Sequence, residues 1–180
     1  MKKFVLAVFF VPMILTSAFS ATNQMSVFFL DVGQGDCEIL LSGNHAVVID
    51  TATEEMASRI VSFLKSKSVQ TIDLLILTHP HADHIGSATE VLSTFNVSTV
   101  YMPKITTNTG IFEKLITTLK KQGKTAHAPI PGETLSVGEM KFDFLAPHRT
   151  EPRILILWKK KRCSTVVSNG GLSAVLRRCS

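Results

Sequence analysis

The sequence predicts an α/β sandwich, a sheet covered by helices, and three observations carry that expectation. Short runs rich in β-branched and aromatic residues, parted by Gly-containing turns, begin at Met25. A continuous apolar run, Asp73–Thr78 (DLLILT), has the character of a strand buried on both faces. Segments of helical period alternate with such strands, the pattern of layered α/β domains. The length of 180 residues suits one domain with a short appendage. With 45% hydrophobic and 18% charged residues, the chain is too apolar to be disordered.

In chain order, residues 1–20 come first. Met1-Lys2-Lys3 is a positive start, Phe4–Leu15 an apolar run, and Ala18 and Ser20 are small residues suited to cleavage after Ser20. This order predicts a signal peptide over 1–20, with an uncleaved anchor as the alternative. The apolar run is shorter than the roughly 20 residues of a membrane span, and Pro12 interrupts it. A secreted or periplasmic protein is therefore expected, with no stable membrane span after cleavage.

Met25–Val32, Cys37–Leu41 and Ala46–Asp50 read as a β-meander, separated by Gly33-Gln34-Gly35-Asp36 and Ser42-Gly43-Asn44. Glu54–Ser66 switches to helical period, with Met56, Ile60, Phe63 and Leu64 on one stripe. After the Asp73–Thr78 strand, Ile85–Phe95 is helical again through Ile85, Ala88, Val91, Leu92 and Phe95. Val97–Met102 is a strand, and Lys104–Gly110 a Thr-rich loop. Ile111–Gln122 is a third helix that Gly123 ends. Lys124–Ala128, Thr134–Val137 and Met140–Leu145 are further strands. In the last, Phe142 and Phe144 alternate with Lys141 and Asp143, which predicts one wet face.

The net charge of +5 belongs to the ends. Residues 21–148 hold nine Lys/Arg against thirteen Asp/Glu, whereas 149–180 hold eight Lys/Arg against Glu151 alone. An acidic body does not support a basic DNA-binding domain. The three Cys match no zinc-ribbon spacing. Cys37 reads as buried in a strand, and Cys163 and Cys179 as tail thiols that could pair in an oxidising compartment.

Chemistry concentrates in Thr78-His79-Pro80-His81-Ala82-Asp83-His84, where four potential metal ligands fall within six residues at the end of a buried strand. His79 and His81 stand two apart in an extended turn, so both imidazoles can converge on one cation. Asp83 and His84 follow at the start of a helix and can face a neighbouring one. Imidazole and carboxylate suit zinc, and also manganese or iron. His45, His127 and His148 read as structural or solvated.

The HxHxDH run after an apolar strand resembles the signature of the metallo-β-lactamase superfamily. Phe28–Asp36 (FFLDVGQGD), Val48–Thr51 (VIDT) and Phe144–Pro147 (FLAP) are similar to the extracytoplasmic hydrolase domain of ComEC-type competence proteins. The resemblance implies an αββα sandwich over 21–148 with two divalent metal ions at one edge. His79 and His81 would bind one ion, Asp83 and His84 the other, with Asp83 also in the catalytic machinery. Asp50 would support the metal-binding loop, with Asp31 and Asp36 near the same edge either assisting it or bracing the Gly-rich turn. Relatives carry IDTG where this chain has Asp50-Thr51-Ala52, and the Ala restricts that turn. A bound cation lowers a water's pKa from about 15.7 to roughly 7. The implied chemistry is hydrolysis of a phosphodiester (DNA) or a related ester by metal-bound hydroxide.

After Pro147 the resemblance stops. The family's later Gly-Asp strand and His motif have no counterpart in the basic tail 149–180, so half of a two-metal site is missing. Three readings of the tail stand: a frameshifted or truncated product, a native basic tail for DNA or membrane surface, or a replacement strand at Ile154–Trp158. The competing function is a degenerate, non-catalytic binder of metal or polyanion. A sandwich incomplete at its C-terminus is also expected to expose a sheet edge and a hydrophobic face.

Overall fold

The computed structural model describes residues 25–146 and 153–160. The expected signal peptide, His148, Cys163, Cys179 and the tail beyond Lys160 lie outside the described residues. No helix among the described residues is long and apolar enough to cross a membrane.

The runs of β-branched residues pair first with their sequence neighbours. β1 (Met25–Phe29), β2 (Glu38–Ser42) and β3 (His45–Ile49) are antiparallel, with Phe29 opposite Glu38 and Glu38 opposite Ile49. Gly43 takes the positive φ of +58° that the two-residue turn between β2 and β3 requires. From β3 onward the strands are parallel: β4 (Thr71–Ile76), β5 (Asn96–Tyr101) and β6 (Ala126–His127), in sheet order β1-β2-β3-β4-β5-β6. Parallel neighbours need long crossovers, and helices supply them. They are α1 (Ala57–Ser66), the short α2 (Ala82–Ile85) with α3 (Ala88–Thr94), and α4 (Gly110–Lys121). A second, antiparallel sheet holds β7 (Thr134–Val137), β8 (Met140–Phe144) and β9 (Ile156–Lys160).

The period-2 alternation of the large sheet feeds two cores. On one face Ile39, Val48, Leu75, Val97 and Val100 pack against Ile60, Leu64, Val91, Leu92, Leu115 and Leu119 of the helices. On the other, Leu40, Val47, Ile49, Leu74, Ile76 and Tyr101 meet Met140, Phe142, Phe144, Ile156 and Trp158 of the second sheet. β4 contributes to both, which is why its sequence is unbroken by polar residues after Asp73. The described residues thus build helix, sheet and sheet layers of the αββα sandwich.

Two expectations change. Ile85–Phe95 is not one helix. The N–H groups of Gly86 and Ser87 donate to Ala52 O (2.8 Å) and Thr51 O (3.3 Å), and the Ser87 hydroxyl to Thr53 O (2.6 Å). The chain between α2 and α3 is stitched to the loop after β3 in place of continuing its own ladder. The outer face of the second sheet is also not the hydrophobic surface expected of an incomplete sandwich. It carries Thr134, Ser136, Lys141, Asp143 and Lys159, with Leu157 half-buried among them. Asp143 accepts from Thr134 Oγ1 (2.7 Å) and pairs with Lys159 (3.0 Å) and Lys141 (3.4 Å), partners that hold its pKa down to about 2. β9 itself pairs along β8, with Ile156 opposite Phe144 and Trp158 opposite Phe142. The tail therefore supplies a strand here, two residues later than Ile154–Trp158.

Candidate metal centre

Asp50 follows β3, Thr78–His84 follow β4, and Asp36 precedes the antiparallel β2, so all three segments meet at one sheet edge. The Gly-rich turn is locked onto the histidine loop by backbone contacts. Asp36 N–H donates to Asp83 O (3.3 Å), and Ala52 N–H to Asp36 O (2.9 Å). Gly35 has φ +89°, and a Cβ there would lie 1.9 Å from Asp83 O. Only Gly fits, for both backbone shape and space. Gly35→Ala is expected to cost at least ~2 kcal/mol, read from urea denaturation, and to loosen the loop carrying Asp83.

Asp50 anchors the centre. It is 1% exposed, and its carboxylate accepts from Thr78 N–H (2.7 Å) and Thr78 Oγ1 (2.6 Å) and bonds His84 Nδ1 (2.8 Å). The single Thr78 hydroxyl proton goes to Asp50. At the 3.0 Å contact between Thr78 Oγ1 and His79 Nδ1, His79 is therefore the donor. Both His79 and His84 then hold their protons on Nδ1 and keep the Nε2 lone pairs for a ligand.

His79, Asp83 and His84 bring one ligand atom each within 4.8 Å of one another. The His79 and His84 rings are 3.7 Å apart between centroids, and Asp83 Oδ2 is 3.8 Å from His84 Nε2. Two imidazoles and a carboxylate converging this way fit a divalent cation such as zinc. Burial, followed by the influence of His84, His81 and Arg153, pushes the His79 pKa down to about 4, so its imidazole is neutral at pH 7. Burial opposes charging of His84, but its bond to Asp50 and the charges of Asp50, Asp83 and Asp36 outweigh it and push the pKa up.

The other expected residues fall at graded distances. His81 is exposed, with its ring edge-on to His79 at 4.8 Å. Asp36 Oδ2 lies 3.9 Å from His84 Nδ1, and Asp36, Asp50 and His84 form a second close group. Asp50 is already committed to three hydrogen bonds, so that group reads as support for His84. Asp31 points elsewhere: it accepts from Gly33 N–H (3.4 Å), lies 3.8 Å from Arg59, and braces the turn. Ala52 is buried at φ +50°, a left-handed shape that Gly adopts more easily. Ala52→Gly is expected to add about 1 kcal/mol of stability by relieving that left-handed strain, read as a rise in melting temperature.

Three residues with no sequence-derived role also belong to this edge. Thr78 links Asp50 to His79. Glu38 is a buried carboxyl in β2, identifiable as the one acid in the Cys37–Leu41 run. Arg153 comes from the tail. Cys37 is 3% exposed, and burial, with Asp50, Glu38 and Asp36 nearby, pushes its thiol far up, so it is inert.

Residues 30–155 match the family described as the metallo-beta-lactamase superfamily. The chain is similar to ComE operon protein 3 of Bacillus subtilis (strain 168), 26% identical over 179 residues, covering 86% of this chain and 22% of that protein. It also overlays on MEM-A1, a subclass B3 metallo-beta-lactamase isolated from a soil metagenome library. The TM-score is 0.56 at 17% identity, covering 81% of this chain and 57% of that one. For the metallo-beta-lactamase fold protein YhfI of Bacillus subtilis the TM-score is 0.53 at 18% identity, with 77% and 59% covered. The chain thus spans under a quarter of the curated relative and somewhat over half of these solved structures. At such identities the structural likeness speaks for the fold alone.

Proposed function

The chain belongs to the metallo-beta-lactamase superfamily, a family of metal-dependent hydrolases, and from that premise we propose that it hydrolyses phosphodiester bonds outside the cytoplasm. The observation that carries this reading is the convergence of His79, Asp83 and His84 on one point at the sheet edge. These residues, with His81 beside them, would hold divalent cations, zinc being first choice for such donors. A bound cation would supply Lewis acidity and a water of lowered pKa.

The protein's own part is arrangement. Asp50 and Thr78 keep Nδ1 of His84 and His79 protonated and their rings aimed, and Asp83 offers a carboxylate that can hold or take a proton beside them. The phosphodiester, DNA or a related ester, follows the resemblance of Phe28–Asp36 to ComEC-type domains, and export follows the Met1–Ser20 pattern. Beyond these donors no further His or carboxylate joins His79 among the described residues. That favours, as a second reading, a binder of metal without turnover.

The test is hydrolysis of bis(4-nitrophenyl) phosphate by zinc- or manganese-loaded protein, with metal content measured in parallel. His81→Ala is expected to lower turnover roughly 100-fold or more. Metal uptake without phosphodiester turnover in the parent chain overturns the enzyme and leaves the binder.

A further inference from the structure

We propose that the groove between α4 and the chain around β6 binds a fatty-acid anion, its carboxylate met by Lys104 and Lys120 and its alkyl chain laid along α4. The site stands apart from the metal centre and does not depend on the hydrolase reading.

The groove follows from how the large sheet ends. Its last strand, β6, is two residues long, whereas α4 runs for twelve. The chain leaving β5 forms neither helix nor strand from Met102 to Thr109. Between these segments lies a groove of about 610 Å³. Small-molecule sites span roughly 300–1,000 Å³. Its apolar walls are Met102 and Ile105 on one side and Phe112, Ile116 and Leu119 of α4 on the other. The last three are spaced four and three apart, so they form one stripe along the helix. That stripe buries Phe112 and Leu119 and leaves Ile116 half-buried.

The only charged side chains lining the groove are Lys104, Lys120 and Lys124. Three of the nine Lys/Arg in the acidic body thus meet where none of its thirteen carboxylates does. Lys124 is fixed, its Nζ donating to Val97 O (2.6 Å). Lys104 and Lys120 are exposed and pair with no acid among the described residues. Their ammonium groups are available to an anionic head, and their stems can extend the apolar wall.

Charge selects the occupant. Residues 1–20 hold two Lys and no acid, and 149–180 eight Lys/Arg against Glu151, so the lysines repel both ends of the chain. A nucleic acid would engage the lysines but leave the apolar walls wet. The one aromatic ring there, Phe112, is too buried to stack on a base. An alkyl carboxylate satisfies both features: its chain takes the apolar walls out of water, and its single charge meets the unpaired ammonium groups.

The experiment titrates decanoate into the metal-free full chain by calorimetry, below the micellar concentration, with 1-decanol as the uncharged counterpart. Lys104→Gln combined with Lys120→Gln removes the two head-group cations. Lys65→Gln combined with Lys67→Gln makes the same charge change at the end of α1, and thermal unfolding verifies that each variant is folded. The expected result is saturable decanoate binding, weakened roughly 5-fold in the groove variant and unchanged in the α1 variant. Decanol should bind parent and both lysine variants alike, and added salt should weaken decanoate alone. Ile116→Gln, which replaces an apolar wall, should weaken decanoate and decanol together. No saturable decanoate binding by the parent overturns the proposal. So does equal affinity in parent and groove variant, or an equal loss in the α1 variant. A thymidine oligonucleotide bound through Lys104 and Lys120 by a chain that ignores decanoate assigns the groove to nucleic acid. Dimerisation in sedimentation, lost in Ile116→Gln and again without decanoate binding, assigns it to a second copy. Either outcome overturns the fatty-acid site.

Discussion

Asp50→Ala is expected to cost about 3–5 kcal/mol of folding stability and to weaken metal binding roughly 10- to 100-fold. The carboxylate is buried and serves three bonds at once, to Thr78 N–H, Thr78 Oγ1 and His84 Nδ1. Ala removes both acceptor oxygens and so all three bonds, leaving a buried amide, a hydroxyl and an imidazole without their partner. Asp50 also sits at φ +56°, a shape Asp tolerates better than Ala, so the backbone adds to the loss. The energetic and functional effects separate in Asp50→Asn. Asn can still accept from Thr78 N–H but cannot be anionic against His84. Its stability should fall less, while its zinc affinity falls nearly as far as that of Ala. Denaturant unfolding gives the first quantity and competition against a chelator the second. An Asn variant with parental zinc affinity would mean that Asp50 shapes the fold and not the ligands.

Glu38→Gln is expected to stabilise the metal-free protein by about 3 kcal/mol at pH 8 and by almost nothing near pH 4. Glu38 lies in β2 facing the inter-sheet core, 7% exposed, and neither its Oε2 nor Trp158 Nε1 has a hydrogen-bond partner of good geometry. Burial first, then Asp50 and Asp36, push its pKa up to about 7, and the nearby indole N–H of Trp158 offsets only part of this. The sign follows from where each state releases its proton. Below the ordinary carboxyl value of about 4.5 both folded and unfolded chains are protonated, and Glu38 costs nothing. Between 4.5 and 7 the unfolded chain ionises while the folded one does not, so stability falls as pH rises and then levels off. Gln cannot ionise and removes that slope. Unfolding free energies at pH 4, 6 and 8 check it, and an equal gain at all three would place the effect outside the carboxyl's titration.

The architecture was legible because its signals are local. Hydrophobic alternation in Met140–Phe144 and the apolar run through β4 depend only on neighbours along the chain, and their strands appear within about two residues of expectation. The break between α2 and α3 was not legible. Gly86 and Ser87 lie inside a periodic helical pattern, and what interrupts it is hydrogen bonding to Thr51, Ala52 and Thr53, more than thirty residues away. The same holds at the metal centre. The HxHxDH spacing marks the ligand types, while the gathering of His79 with Asp83 and His84, with His81 outside that close set, depends on how α2 leaves the loop.

By itself the sequence determined the layered α/β class, the likeness to a metal-dependent hydrolase family and the residue types able to hold a cation. Each is a matter of periodicity or of side-chain chemistry. Only the tertiary structure decided that Asp50 commits its carboxylate to Thr78 and His84, that Asp31 turns away to Arg59, and that Glu38 is sealed against Trp158. It also decided that the chain past Pro147, where the family match continues to residue 155, pins Ile154 to Thr78 and delivers β9 to the second sheet. Those are contacts between segments distant in the chain. Their geometry is set by which faces the two cores bury together, a quantity that no stretch of sequence carries alone.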